Sequence, residues 1–128
     1  MRRATLSAAA ITILFALTAA APAFAAYGSM ALDDDTGRYG ASWNEETQKK
    51  ADEAALKGCN SAGCKIVFRV LPRRCGALAT GEKGTSGKVA WGGKNNAATR
   101  DAAKLAALEN CQKHSSGKCE VRENECNR

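Results

Sequence analysis

Outside the N-terminus, apolar side chains are most concentrated in residues 64–71. This run is rich in β-branched residues, which fit the pleated surface of a strand. Its apolar side chains fall on both faces of such a strand, with Ile66, Phe68 and Val70 on one and Val67 and Leu71 on the other. A strand that is apolar on both faces is typical of the interior of a sheet. The pattern therefore predicts an interior strand.

A hairpin and a helix are predicted before this strand. Residues 27–32 and 38–43 read as short strands, and residues 33–37 between them carry the Asp and Gly that favour a turn. Asn44 is the predicted N-cap of a helix that runs to about Lys57, because acidic residues follow Asn44 in the first turn. The first half of the chain therefore reads strand, strand, helix, strand.

The same order of elements begins again at Cys75. The predicted second set has strands at residues 75–79, 88–91 and 120–125 and a helix at 98–110, with Asn96 or Thr99 as its N-cap. A shift of 48 positions aligns Trp43 with Trp91. In the helix the shift grows to 52, which aligns Cys59 with Cys111. These internal matches indicate a duplication, with copies at about residues 27–74 and 75–128.

The two copies predict an α+β fold. We expect two ββαβ repeats that form a mainly antiparallel sheet with both helices on one face. The last strand of the second copy, residues 120–125, alternates in charge, and charged strands suit the edge of a sheet. Its apolar counterpart at residues 64–71 is expected inside the sheet.

The N-terminal residues have the pattern of an export signal. Arg2 and Arg3 precede an uncharged apolar run at residues 8–20, and Ala23-Phe24-Ala25 forms a cleavage site. The run is shorter than the ~20 residues of a membrane-spanning helix, which disfavours an anchor. We expect residues 1–25 to be a cleaved signal peptide and residues 26–128 a single small domain. The expected location is the periplasm or the exterior, without stable membrane insertion after cleavage.

Cysteines are expected to staple this domain. All six follow the predicted cleavage site, and an even number in a small exported domain indicates disulfides. Only five aromatic side chains follow that site, so the core is thin and covalent support is expected. Equivalence between the copies favours the pairs Cys59–Cys64 and Cys111–Cys119, and leaves Cys75–Cys126 to join the two copies. A crossed pairing between copies remains the alternative.

Residues that suggest catalysis or metal binding lack the context these chemistries need. His114, the one histidine, lies in a polar loop without an orienting acid. Residues 81–88 differ from a phosphate-binding loop in spacing and in having Val89 where a hydroxyl is required. Residues 33–35 are three adjacent Asp, which favour a turn over calcium, and the cysteine spacings do not match zinc sites. We therefore expect no enzyme activity, metal or cofactor.

Basic residues around the end of the apolar strand are a candidate for anion binding. Without Arg2 and Arg3 the formal charge falls from +6 to +4, which suits anionic surfaces but selects no partner. The candidate anion-binding rim consists of Lys65, Arg69, Arg73 and Arg74. It would meet an anionic envelope component or an acidic protein. A solvated surface is the alternative, and the lack of stacking aromatics together with export disfavours nucleic acid.

Several segments resemble the bacterial family of unknown function numbered 4189. They are Tyr-Gly-Ala-Ser-Trp at 39–43, Leu-Lys-Gly-Cys at 56–59, Cys-Lys-Ile-Val at 64–67 and Arg-Cys-Gly-Ala-Leu-Ala at 74–79. The resemblance implies a small exported domain and no established activity. We therefore expect a non-enzymatic binding or envelope-interaction module. The alternative is a secreted inhibitor or effector that acts on a host or competitor protein.

The disulfide pairing can be tested by a peptide map of the non-reduced protein. We expect linked peptides that contain Cys59 with Cys64, Cys111 with Cys119 and Cys75 with Cys126, because equivalent cysteines should pair alike in both copies. Mass spectrometry before and after reduction identifies each pair. A peptide that links Cys59 to Cys111 would demonstrate the crossed pairing instead.

Overall fold

The computed structural model describes residues 25–128, so the predicted signal peptide lies outside the described residues except for Ala25. The α+β class and the order strand, strand, helix, strand in each copy are confirmed. The elements are β1 (Tyr27–Asp33), β2 (Arg38–Glu45), α1 (Gln48–Cys59), β3 (Lys65–Val70), β4 (Cys75–Lys83), β5 (Val89–Ala97), α2 (Arg100–Gln112) and β6 (Glu120–Cys126).

Each copy forms a three-stranded antiparallel sheet of its own. The strand orders are β2-β1-β3 and β5-β4-β6, so the first strand of each copy is central. The predicted single sheet is thereby divided in two, and each of the two sheets has its helix on one face. In the first copy Ala31 packs against Ala55 and Cys59 of α1. In the second copy Ala77 and Ala79 pack beneath α2. Small side chains therefore fill both helix–sheet interfaces.

The two sheets meet through the faces that are turned away from the helices. Met30 and Leu32 of β1 and Leu78 of β4 are fully buried, although their neighbours in the strands are the residues that face the helices. A Cβ atom built on Gly76 would lie 2.6 Å from Cγ2 of Val70, in the other sheet. The layers therefore run helix, sheet, sheet, helix, with the larger apolar side chains in the middle.

The prediction of an interior strand at residues 64–71 is wrong. Among the strands of residues 25–128, β3 pairs with β1 alone and is an edge strand, because β1 has β2 on its other side. Its apolar faces are covered from above and below instead: Ile66 packs against the cluster under α1, and Phe68 reaches Gly93 of the second sheet. The charged strand β6 also lies at an edge, as predicted. Packing layers, not sheet position, account for the hydrophobicity of β3.

The alignment of Trp43 with Trp91 is also wrong. Ala31 pairs with Gly40 and its equivalent Ala79 pairs with Gly92, so β2 and β5 differ by 52 positions while β1 and β4 differ by 48. The second hairpin is therefore four residues longer, as 52 − 48 shows. The structural equivalent of Trp91 is Tyr39, which the 52-position shift aligns with it.

Threonine caps both helices. The hydroxyl of Thr47 accepts a hydrogen bond from the backbone N–H of Lys50, so Thr47 and not the predicted Asn44 is the N-cap of α1. Thr99 caps α2 in the same way, as one of the two predicted candidates. Asn44 instead adopts a left-handed backbone with φ of 60° and accepts a hydrogen bond from the N–H of Arg128. It therefore connects the two copies.

The three disulfides are Cys59–Cys64, Cys111–Cys119 and Cys75–Cys126. The first two join the C-terminal end of each helix to the segment that leads into the following strand. Cys75 and Cys126 lie directly opposite each other on β4 and β6. The expectation that this bridge joins the two copies is wrong, because Cys75 already belongs to the second sheet. Each disulfide closes a loop within one copy.

Hydrogen bonds hold the two copies together where the disulfides do not. The side-chain amide of Asn127 donates to the carbonyl oxygens of Val70 (2.9 Å) and Leu71 (3.2 Å). Its oxygen accepts from the N–H of Asn44 at 2.9 Å. The oxygen of Asn96 accepts from the N–H of Leu71, also at 2.9 Å. The buried amide of Asn127 and the half-buried amide of Asn96 therefore link the two copies.

A Gly40→Ala substitution is expected to destabilise the fold. A Cβ atom at this position would overlap the carbonyl oxygen of Ala55 and lie 2.7 Å from the carbonyl carbon of Gly58, so α1 would have to move. We expect a loss of at least ~2 kcal/mol in the free energy of unfolding. Gly84→Ala is the matched control, because within the described part of the chain nothing lies within 4 Å of its Cβ position. Denaturant titration measures both variants, and equal stabilities would contradict the close helix–sheet packing.

Candidate functional site

The four residues of the candidate anion-binding rim do not form one site. Lys65 begins β3, whereas Arg73 and Arg74 follow its other end in the turn to β4. A strand of this length separates its ends by roughly 17 Å. Lys65 is therefore remote from the two arginines of the turn.

Arg69 is engaged in a network that fastens α1 to its sheet. Its Nη2 lies 2.8 Å from Oδ2 of Asp52, and its Nε lies 3.1 Å from both oxygens of that carboxylate. The hydroxyl of buried Ser29 donates to the carboxylate of Asp52. The side-chain amide of Gln48 donates to the hydroxyl of Ser29 and to the same carboxylate. The Arg69 hydrogen bonds lower the pKa of Asp52, with further contributions from Ser29 and Gln48. This arginine therefore serves the fold.

The remaining two arginines meet the C-terminal residue in what we call the arginine tip, formed by Arg73, Arg74 and Arg128. The N–H of Arg73 donates to the carbonyl of Arg128 at 3.0 Å. The carbonyl of Arg74 accepts from the N–H of Asn127 at 2.9 Å. All three side chains are exposed. The structure thus replaces the predicted rim with a smaller basic surface at one end of the molecule.

The three adjacent Asp residues anchor loops. The carboxylate of Asp33 accepts from the hydroxyl of Ser61, which lowers the pKa of Asp33. Asp34 and Asp35 pair with Lys88 of the second copy, at 3.3 and 2.7 Å. One oxygen of each of the three carboxylates lies within 4.8 Å of the others, but Lys88 already balances the negative charge of two of them. The arrangement supports the turn over the calcium alternative.

A cleft of about 580 Å³ runs along the outer edge of β5. One wall is the β4–β5 loop, and the other is the C-terminal end of α2 with the loop after it. Its lining includes Asp34, Ser86, Lys88, Asn110, His114 and residues 89–93. The half-buried Trp91 belongs to this lining. The lone histidine, which the sequence places only in a polar loop, thus lines the same cleft as Trp91 and Lys88.

Contacts from the first copy hold the loop wall of this cleft. Lys88 donates hydrogen bonds to Asp35 and Asp34. These bonds raise the pKa of Lys88, and the bond to Asp35 has the larger effect. The N–H of Val89 donates to the carbonyl of Asp34 at 2.7 Å. The loop is therefore fixed at its β5 end, and the lysine stays charged across the physiological range.

The corresponding place in the first copy is partly filled. Its cleft has about 360 Å³ and is lined by Arg38, Tyr39 and Cys59, among others. Nε of Arg38 donates to the carbonyl of Cys59 at 3.3 Å, so the arginine crosses from the strand to the helix end. Ala90 occupies the equivalent position in the second copy. The short side chain leaves the second cleft open.

The cleft was not predicted from the sequence. The alignment of Trp43 with Trp91 concealed the four-residue insertion in the second hairpin, and with it the replacement of Arg38 by Ala90. The glycine-rich composition of residues 81–87 was the available signal, because such loops usually differ between copies.

The fold and the cleft together define a disulfide-bonded ββαβ duplication with an open cleft along one edge strand. Residues 27–126 match the family described as a domain of unknown function, DUF4189, and the chain belongs to this family. The resemblance seen in the sequence is thereby confirmed. None of the curated proteins matches the chain.

A solved structure has the same fold. The NMR structure of Rv1813c from Mycobacterium tuberculosis is 24% identical in sequence, with a TM-score of 0.52 and 99% of each chain covered. At this identity the similarity supports the fold alone. Within residues 25–128, neither helix has the length and apolar character to cross a membrane.

An Asp52→Asn variant is expected to lose stability in a pH-dependent way. The depressed pKa means that the carboxylate stabilises the fold above its ordinary pKa of about 4, and that this contribution disappears as the pH falls through the lower folded value. At pH 7 we expect the variant to lose about 1–2 kcal/mol in the free energy of unfolding, a modest amount because Arg69 is half-exposed and solvent screens the pair. This loss should shrink toward pH 2, where Asp52 becomes protonated.

Denaturant titrations between pH 2 and pH 7 measure this difference. Glu53→Gln is the control on the same helix, because Glu53 is exposed and its ion pair with Lys49, at 3.9 Å, is long and weak. A difference between Asp52→Asn and the parent protein that stays constant over this range would show that the charge of Asp52 does not contribute.

Proposed function

We propose that this protein is an exported, non-enzymatic binding module whose ligand occupies the cleft along β5. The observation that carries the proposal is the divergence of the two copies at equivalent positions. Arg38 crosses the first cleft, which has about 360 Å³, whereas Ala90 leaves the second one open at about 580 Å³. A longer loop then adds a wall, fixed by Lys88. A change that opens one copy and adds contacts around it is more consistent with binding than with drift in packing.

Export is supported by the disulfides. All six cysteines of the chain are paired, and such bridges persist in oxidising compartments outside the cytosol. The helix–sheet interfaces consist mostly of alanine and cystine, so they bury little apolar area for their size. Disulfides add stability to such a fold, and they form in the oxidising compartments that exported proteins reach.

A non-enzymatic role is supported by the engagement of the hydroxyl–carboxylate pairs. Ser29 donates to Asp52 beneath α1, and Ser61 donates to Asp33 beside the first disulfide. Each pair joins separate parts of the chain, and Arg69 also holds Asp52. Activated hydroxyls require a base that is free to accept a proton. The hydrogen bonds from Ser61 and Arg69 instead lower the pKa of Asp33 and Asp52, which makes both carboxylates weaker bases.

The arginine tip favours a second candidate function. Arg73, Arg74 and Arg128 present three exposed guanidinium groups at one end of the molecule, remote from the Lys88 side of the cleft. Guanidinium groups bind carboxylates and phosphates in bidentate fashion. An inhibitor or effector that contacts an acidic partner protein would use this surface.

Affinity capture with the oxidised protein separates the two candidates. Immobilised protein is incubated in turn with purified cell-wall glycan, anionic lipid vesicles and a soluble protein fraction. We expect retention of one of these classes, and an Ala90→Arg variant is expected to lower it about tenfold by filling the cleft as Arg38 does in the first copy.

The Arg73→Ala/Arg74→Ala double variant is the matched surface control. Its retention should equal that of the parent protein if the ligand occupies the cleft. Loss of retention in the double variant alone would favour the inhibitor or effector, with one saturable protein partner as its signature. Equal retention by all three proteins would refute both sites.

A further inference from the structure

The cleft follows a backbone edge. Five consecutive residues of β5, 89–93, line it. β5 pairs only with β4 among the strands of residues 25–128, so the N–H and C=O groups on its other side have no strand opposite them. An unpaired edge is a template for an additional strand. This edge of β5 can therefore pair with an extended chain.

Two hydrogen bonds show which backbone groups face the cleft. The carbonyl of Gly93 accepts from the side-chain amide of Asn110 at 2.9 Å, so it points away from β4. The N–H of Val89 donates to the carbonyl of Asp34, again away from β4. Alternate residues of a strand direct their backbone groups to the same side. The N–H and C=O of Trp91 and the N–H of Gly93 consequently point into the cleft.

The free backbone groups are bounded at both ends. Asp34 occupies the N–H of Val89, and Asn110 occupies the C=O of Gly93. Between them remain the C=O of Val89, the N–H and C=O of Trp91 and the N–H of Gly93, two acceptors and two donors in the spacing of an antiparallel ladder, over a length of roughly 10 Å. The exposed edge is therefore long enough for about three residues of a partner.

Small residues make this edge accessible. Ala90 and Gly92 present almost no side chain toward the helix end, where Arg38 crosses in the first copy. Phe68 covers one face of Gly93, since a Cβ there would lie 2.8 Å from Cδ1 of Phe68, so Gly93 borders the cleft through its backbone. The volume of about 580 Å³ falls within the range of ligand sites. A peptide backbone can thus approach β5 closely.

We propose that the ligand of the cleft is an extended peptide segment of a partner protein, which pairs with Trp91 and Gly93 as a fourth strand of the second sheet. This inference rests on the proposed function of the cleft. Backbone hydrogen bonds supply affinity in this mode, and side chains that flank the added strand supply selectivity. Here those flanking groups are Lys88 with Asp34 on the loop wall and His114 on the helix wall. The free ladder favours a peptide over a saccharide, since sugars have no matching repeat of donors and acceptors.

Selection of random hexapeptides displayed on phage, with the oxidised protein as target and Ala90→Arg for counter-selection, provides the probe. A selected peptide is then synthesised and titrated into ¹⁵N-labelled protein. We expect hydrogen exchange at the amides of Trp91 and Gly93 to slow about tenfold or more on binding, because each gains a hydrogen bond. Affinity for Ala90→Arg should fall about tenfold, with thermal unfolding used to show that the variant is folded.

Backbone N-methylation of the peptide tests the ladder without altering the protein. Methylation at the residue whose N–H meets the C=O of Trp91 should weaken binding about tenfold, since one hydrogen bond is lost. Methylation at the next residue, whose N–H points outward, should change affinity by less than about threefold. Equal effects at both positions would overturn the added-strand geometry.

Two results would overturn the peptide inference. The first would leave the proposed function intact, and the second would refute it as well. Chitotetraose that shifts the Trp91 indole signal, without protection of the two amides, would replace the peptide by a saccharide and retain the cleft as a binding site. If neither probe affects β5, and captured envelope material is held equally by Ala90→Arg, the proposed function fails as well.

Discussion

Each helix packs directly on the backbone of its sheet, and this close approach determines where the larger side chains and the disulfides can lie. Gly40 and Gly92 lie so close to α1 and α2 that a Cβ atom would overlap the helix backbone. Alanine on the facing strand and helix keeps the layers at this distance. Because such residues bury little apolar area, the larger side chains are placed between the sheets, and a disulfide secures the end of each helix.

The connections between the copies are of a different kind from those within them. Disulfides close loops inside each copy, whereas buried side-chain amides, chiefly that of Asn127, join one copy to the other. Each copy therefore keeps its own covalent support. One hairpin can lengthen without loss of the shared interface, which lies on the opposite face of the sheet from the helices. The cleft along β5 arises at such a tolerant position.

The candidate site was only partly predictable. The basic residues form a cluster in the sequence, but in the structure Lys65 and Arg73 lie at opposite ends of β3. The charge of Arg69 is balanced by Asp52. Nothing in the local sequence marks Asp52 as the partner of Arg69, because the two are 17 positions apart and meet only when α1 packs on β3. The cleft depends in the same way on Ala90, an unremarkable residue until it is superposed on Arg38.

Local patterns of polarity, turn residues and cysteine recur in both copies, and they sufficed to predict the elements, the duplication and the α+β class. The division of the six described strands into two sheets, and the edge position of residues 64–71, follow from packing alone. A strand covered above and below by other layers has the same apolar pattern as one enclosed by neighbouring strands. The direction from which burial comes is a property of the packed layers, and no local pattern encodes it.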